Sequence, residues 1–300
     1  PMTYGLCHET IEKIVEAYPV CSSRCIGTTA FGREIEAMAI GSGGRTVLFT
    51  AAHHANEWIT ATGLLKFAEE LSRAILEKGE VYGIPANLFE ENCQIFLVPM
   101  VDPDGVDLVT GGIAQGSIQW EQAKRLSNNC PSVPFPNGWK ANLLGVDLNL
   151  QYPAGWLQAR EIKFSQGYTR PGPRDYVGKA PLTQRESRAL ADFTNYLDPA
   201  LILAYHTQGE QIYWKYDDID VPGALALGQE FARLSGYSLE ETPYASGFAG
   251  YKDWFIKVWR RPGFTIEAGL GENPLPISQF DTIYAKNLGI LTTAALGLPA

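Results

Sequence analysis

The sequence predicts an α/β fold: one domain with a mixed, mostly parallel central sheet flanked by helices. Three observations lead there. Short apolar runs of strand character alternate with longer segments of helical periodicity along most of the 300 residues. No internal repeat or low-complexity linker divides the chain, and its length suits one large domain with a full core. The composition, 45% hydrophobic and 19% charged, is that of a globular chain and not a disordered one. Residues 1–300 are expected to fold as one unit, either freestanding or excised from a longer chain.

The elements follow in order. Thr10 to Tyr18 places Ile11, Ile14, Val15 and Tyr18 at helical spacing and stops at Pro19. Ile35 to Ile40 reads as a strand ending in the turn Gly41-Ser42-Gly43-Gly44. Thr46 to Thr50 is mostly apolar, as a central strand should be. From Ile59 to Leu76, apolar residues such as Leu64, Leu65, Ala68, Leu71 and Ile75 recur on one helical face. Gln94 to Val98 is another buried strand, stopped by Pro99. Residues 101–147 and 151–182 are rich in Gly, Asn and Pro, weakly periodic, and read as long functional loops. Then come a helix (Gln184 to Leu197), strands at Leu201 to Tyr205 and Gln211 to Tyr216, a helix (Pro222 to Ser235), a strand (Gly263 to Ile266) and a last helix (Ser278 to Leu296). In such sheets ligands sit beyond the carboxyl ends of the strands. His54, Asp102, His206 and Glu267 all fall at or just after predicted strand ends, which suggests one shared site.

Charge and length narrow the partners. A net charge of -9 argues against nucleic acid or an anionic membrane. No apolar run approaches the ~20 residues needed to cross a bilayer, and no secretory signal is visible. The chain opens on Pro1-Met2, as a trimmed chain or one with a cloning remnant would. Cys7, Cys21, Cys25, Cys93 and Cys130 are too scattered for a disulfide framework and are expected as thiols.

The chemistry concentrates in His53-His54-Ala55-Asn56-Glu57-Trp58, directly after the apolar run Thr46–Thr50. His54 and Glu57 form an H-x-x-E pair, and imidazole with carboxylate suits Zn²⁺ with an open position for water. The chain has only four histidines, so His206, at the end of another apolar strand, is the natural third ligand. His53 is one position off the spacing and should point the other way. A three-ligand zinc site lowers the pKa of bound water toward ~7 and polarises a carbonyl. It needs a nearby carboxylate to take the proton, and Glu267 at a strand end is placed for that role.

These pieces together resemble the zinc carboxypeptidase (M14) family from about residue 30 to the C-terminus. The resemblance rests on His54-Ala55-Asn56-Glu57-Trp58, Gly145-Val146-Asp147-Leu148-Asn149, His206 and Thr265-Ile266-Glu267, in that order. Within the family the chain is similar to bacterial γ-D-glutamyl-diaminopimelate peptidases, most specifically through Gly250–Ile256, Arg261–Glu267 and Asn273-Pro274-Leu275-Pro276. The resemblance implies a carboxypeptidase-like fold and one zinc ion held by His54, Glu57 and His206. Glu267 becomes the general base and acid, and Asp147 orients the His54 ring. Lys140 stands where the family usually has an oxyanion-stabilising arginine. Tyr244 resembles the family tyrosine that closes over substrate, although its spacing to Asp253-Trp254 departs from the usual pattern.

Another departure bears on substrate. After Asp147-Leu148-Asn149 the carboxypeptidases carry an arginine that grips a terminal carboxylate, and here Leu150 follows. Asn149 is kept, and Lys252, Arg170 and Arg174 are candidate carboxylate partners. The expected reaction is hydrolysis of the γ-D-glutamyl–diaminopimelate bond in peptidoglycan stem peptides. The alternatives are a conventional carboxypeptidase acting on α-peptides and a non-catalytic peptide-binding module. The implied setting is bacterial, in the cytoplasm or associated with spore or cell wall. Wall-binding LysM modules, which members of this branch can carry, are not in this sequence.

Overall fold

The computed structural model describes residues 1–298. Among them the strands are β1 (Cys21–Thr28), β2 (Glu34–Ile40), β3 (Arg45–Thr50), β4 (Glu80–Val81), β5 (Ile84–Pro85), β6 (Cys93–Val98), β7 (Leu201–His206), β8 (Gln211–Tyr213), β9 (Ser238–Glu240) and β10 (Gly263–Glu267). The helices are α1 (Tyr4–Ala17), α2 (Ile59–Glu77), α3 (Asn87–Asn92), α4 (Pro103–Thr110), α5 (Ile118–Ser127), α6 (Trp156–Ser165), α7 (Arg185–Leu197), α8 (Ala224–Ser235), α9 (Tyr251–Trp259) and α10 (Phe280–Leu296).

Eight strands form one sheet in the order β1-β2-β6-β3-β7-β10-β8-β9, while β4 and β5 form a small hairpin. β6, β3, β7 and β10 run parallel at the centre, β8 and β9 pair parallel at one edge, and β1, β2 and β8 join antiparallel. Successive residues of a strand face opposite sides, so the central strands must be apolar throughout to be covered on both. Val47, Phe49, Leu201 and Leu203 enter the core under α1, α2, α8 and α10. Leu48, Ile202 and Ala204 enter the second core, under α7 and α9.

The strands and helices read from periodicity are present, most with ends shifted by a few residues, while α1 begins at Tyr4, six residues before the expected start at Thr10. The two long segments read as loops are not structureless: they hold α4, α5 and α6. Asp102 caps α4 by accepting the Gly105 N–H at 3.0 Å, Pro103 follows, and Gly111 stops it at φ 86. The same Asp-Pro-Asp-Gly residues also suit a turn, which hid the helix. α5 is capped by Ser117 but largely polar, so it carries little apolar periodicity. β1 and β9 sit at the sheet edges with mostly exposed side chains, and edge strands need no apolar alternation. α9 is buried nearly all round from Tyr251 to Ile256, which erases the one-sided pattern of a surface helix. All five cysteines are free thiols.

Candidate metal centre and cleft

The site is built where the parallel strands end. Beyond β3, Ala51 is locked between β6 and the following loop by its N–H to Val98 O (3.0 Å) and its O to Val101 N–H (3.1 Å). His54 is extended, and the next three residues form a short 3₁₀ turn that brings Glu57 back beneath it. β7 lies parallel beside β3, so its last residue, His206, reaches the same point. His54 Nδ1 is 2.9 Å from Glu57 Oε1, and His206 Nδ1 is 2.9 Å from Glu57 Oε2.

This arrangement fits a cation. The two Nδ1 atoms lie 3.1 Å apart beside one carboxylate, and one ligand atom from each of the three residues falls within 4.8 Å of the others. Burial opposes charge on His54, but Glu57 and Asp147 outweigh it and push the ring up to about 9, so the local field favours positive charge. His53 faces away: its Nε2 is 3.3 Å from the Tyr152 hydroxyl and its ring stacks on that of His206.

Asp147 supports the centre from behind. Its Oδ1 is 3.2 Å from His54 Nε2 and accepts the Asn149 N–H at 3.1 Å, while Oδ2 accepts the Asp175 N–H at 3.3 Å. Burial would favour its neutral form, yet Lys140 and His54 hold it well below the usual carboxylate range. Lys140 Nζ lies 3.8 Å from Asp147 Oδ2. Burial disfavours the ammonium, but Asp147, Asp175 and Glu57 outweigh burial and keep it charged. Glu267 ends β10, beside His206 in the parallel register. Burial and the nearby Glu57 push its carboxyl up to about 8.

Two cavities meet here. One, of about 240 Å³, is lined by His54, Lys140, Asp147 and Glu267 and reaches Asn149, Leu150, Lys252 and Asp253. The other, of about 600 Å³, shares Lys140, Arg174, Tyr213 and Glu267 and extends past Asn56 to Asn273. Asn149, in the cavity wall, uses its Oδ1 to accept the Tyr251 N–H at 2.9 Å, and its amide NH₂ has no protein partner among the described residues. Leu150 packs with Ala159, Val177 and Ala249. Arg174 pairs through Nε with Asp175, and its terminal nitrogens have no protein partner among the described residues.

Four of the expected residues take the following places. Arg170 is exposed and lines neither cavity. Tyr244 is 74% exposed and lines a separate cavity with Phe248, although its neighbours Thr242, Pro243 and Ser246 reach the first one. Asp102 is fully buried and turned onto the start of α4, so it does not share the site. Lys252 is in the cavity but is not a free cation, because it pairs with Asp253 at 2.7 Å. Sequence reasoning missed Asp253, Tyr213, Lys163 and Asp175. Asp253 lay inside the quoted stretch Gly250–Ile256, but adjacency did not reveal the ion pair. Nothing local marked the other three.

Comparison with known proteins agrees with this geometry. The zinc carboxypeptidase (peptidase M14) family matches residues 7–288. A γ-D-glutamyl-L-diamino acid endopeptidase 1 of Lysinibacillus sphaericus is 42% identical over 96% of the chain and 70% of its own length. Bovine carboxypeptidase B is 25% identical over 85% of the chain and 60% of its own length. In structure, bovine thrombin-activatable fibrinolysis inhibitor superposes with a TM-score of 0.75 at 16% identity, covering 98% of this chain and 96% of that one. That likeness is one of fold.

Proposed function

The chain belongs to the zinc carboxypeptidase family, and on that premise we propose that it hydrolyses the γ-D-glutamyl–diaminopimelate bond of bacterial peptidoglycan stem peptides. It is a zinc-dependent metallopeptidase with the mixed sheet of its family. The observation that carries the substrate is the 42% identity to a γ-D-glutamyl-L-diamino acid endopeptidase over nearly the whole chain. Leu150 supports it: this side chain cannot form the bidentate grip on a terminal carboxylate that a conventional carboxypeptidase requires. The retained triad and Glu267 speak against a binding module without turnover.

His54, Glu57 and His206 would hold the zinc ion, which, when bound, supplies Lewis acidity toward a carbonyl and acidifies water. Asp147 accepts from His54 Nε2, so Nδ1 is left free as a lone-pair donor. Glu267 takes a proton from the attacking water and returns it to the departing amine. A carboxyl pushed toward neutrality suits both transfers. Lys140, kept charged by Asp147, faces the oxygen on which negative charge develops. The end of Arg174, which has no protein partner among the described residues and lines both cavities, would take the free α-carboxylate of the D-glutamyl residue. Asn149 offers its amide to a carboxylate of the leaving residue.

The test is mass spectrometry of products from L-Ala-γ-D-Glu-meso-diaminopimelate with the zinc-loaded protein. Chelator-sensitive release of L-Ala-D-Glu is the expected result. An intact tripeptide alongside trimming of a plain α-peptide would overturn the assignment in favour of the carboxypeptidase.

A further inference from the structure

Lys163 is a buried cation that the proposed mechanism does not use. It lies on α6, in the wall of the first cavity, and its Nζ stands 2.7 Å from Asp175 Oδ1, with side-chain exposures of 10% and 6%. Asp175 Oδ2 accepts from Arg174 Nε. The backbone around Asp175 is a strap across Lys140 and Asp147. Pro173 O accepts the Lys140 and Ala141 N–H groups at 2.8 and 2.9 Å, and Tyr176 O accepts the Asp147 N–H at 2.9 Å. The Asp175 N–H donates to Asp147 Oδ2 at 3.3 Å. Asp175 itself has φ 62, in the left-handed region that residues other than glycine seldom adopt, so the strap relies on the contacts that hold this residue.

Two carboxylates thus act on the Lys140 ammonium. Lys140 pairs with Asp147 at 3.8 Å and forms no ion pair with Asp175. Its field still reaches Asp175. Burial and the Asp147 charge favour the neutral form of Asp175, but Lys140 foremost, with Arg174 and Lys163, holds its carboxyl below the usual range. An Asp175 oxygen left without a partner in this poorly solvated wall would attract a mobile cation nearby. Lys140 is 25% exposed and carries its charge on a flexible stem, so it can turn. We propose that Lys163 is a positioning residue: by occupying Asp175 Oδ1, it keeps that carboxylate from drawing Lys140 away from the oxygen on which negative charge develops. The inference rests on the peptidase reading above, in which Lys140 meets that charge. Lys163 touches no reacting atom in this role and acts only through Asp175 and Lys140.

The experiment measures kcat and KM of the zinc-loaded protein on L-Ala-γ-D-Glu-meso-diaminopimelate. Lys163→Met, checked for zinc content and melting temperature, should lower kcat by about 10-fold or more and change KM by less than about threefold. Lys163→Arg should restore most of the rate. Lys163→Met combined with Asp175→Asn should also recover most of the kcat lost in the single variant, because a neutral amide no longer draws the ammonium. A pair that served stability alone would leave the double variant no faster than the single one. Lys163→Gln, which keeps an N–H toward Asp175, takes the place of Lys163→Met if the methionine variant does not fold. Unchanged kcat in the folded single variant, a change confined to KM, or a double variant no faster than the single would each overturn the proposal while leaving the peptidase reading intact. Absence of hydrolysis by the wild type would overturn the peptidase reading and the positioning role with it.

Discussion

His54 and Asp147 are 93 positions apart in sequence, and they share a hydrogen bond of 3.2 Å between Nε2 and Oδ1. The bond decides which face of the His54 ring is available, because Nε2 is committed to the carboxylate while Nδ1 turns to Glu57 and His206. Asp147 holds its place through the Asn149 and Asp175 N–H groups, so the loops that carry it set the metal site's geometry.

Asp147→Ala should therefore weaken zinc binding by about 10–100-fold, the usual cost of losing a ligand's orienting partner. Competition against a chromogenic chelator measures this directly. Unchanged zinc affinity in a folded variant would mean that the His54 ring is oriented by packing alone.

Glu267→Gln keeps the shape and removes the base. The variant should bind one zinc ion per chain and lose hydrolysis by at least about 10²–10⁴-fold. Near-normal turnover with full zinc content would take Glu267 out of the mechanism.

Lys140→Ala should lower kcat more than it raises KM, by about 10²–10³-fold, if the ammonium meets charge that exists only in the transition state. Lys140→Arg should recover part of the loss. A change confined to KM would assign Lys140 to substrate binding.

Glu186, on α7, is buried, with Asn142 Nδ2 3.4 and 3.5 Å from its two oxygens. Burial and the Asp104 charge push it up to about 7 from 4.5. The raised value means that the fold favours its protonated form. That stabilisation is complete below the unfolded pKa and is lost as pH rises through the folded one. Glu186→Gln removes the charging step, so its melting temperature should gain on the wild type from pH 5 to pH 8, by an amount equivalent to roughly 1–3 kcal/mol. A constant difference across that range would show that Glu186 titrates normally in the folded protein.

Much of this molecule was legible in local pattern. β3, β6 and β7 are apolar on both faces because helices cover both sides of the central sheet, and such runs stand out. His54 and Glu57 are three residues apart, so the 3₁₀ turn alone brings them together. His206 and Glu267 were found because strand ends on a parallel sheet share one edge. What escaped was polar or marginal: α5 and the edge strands β1 and β9 bury too little to leave a periodic mark.

By itself, the sequence determined a mixed, mostly parallel sheet, the metal-binding residue types and their place at strand ends, because strand periodicity and short spacings are properties of the local chain. The tertiary structure alone decided that Arg170 and Tyr244 stand outside the first cavity, that Lys252 is paired, and that Arg174 sits where two cavities meet. Charges on loops acquire partners only through packing between segments distant in sequence, and burial then sets which of them remain available to a ligand.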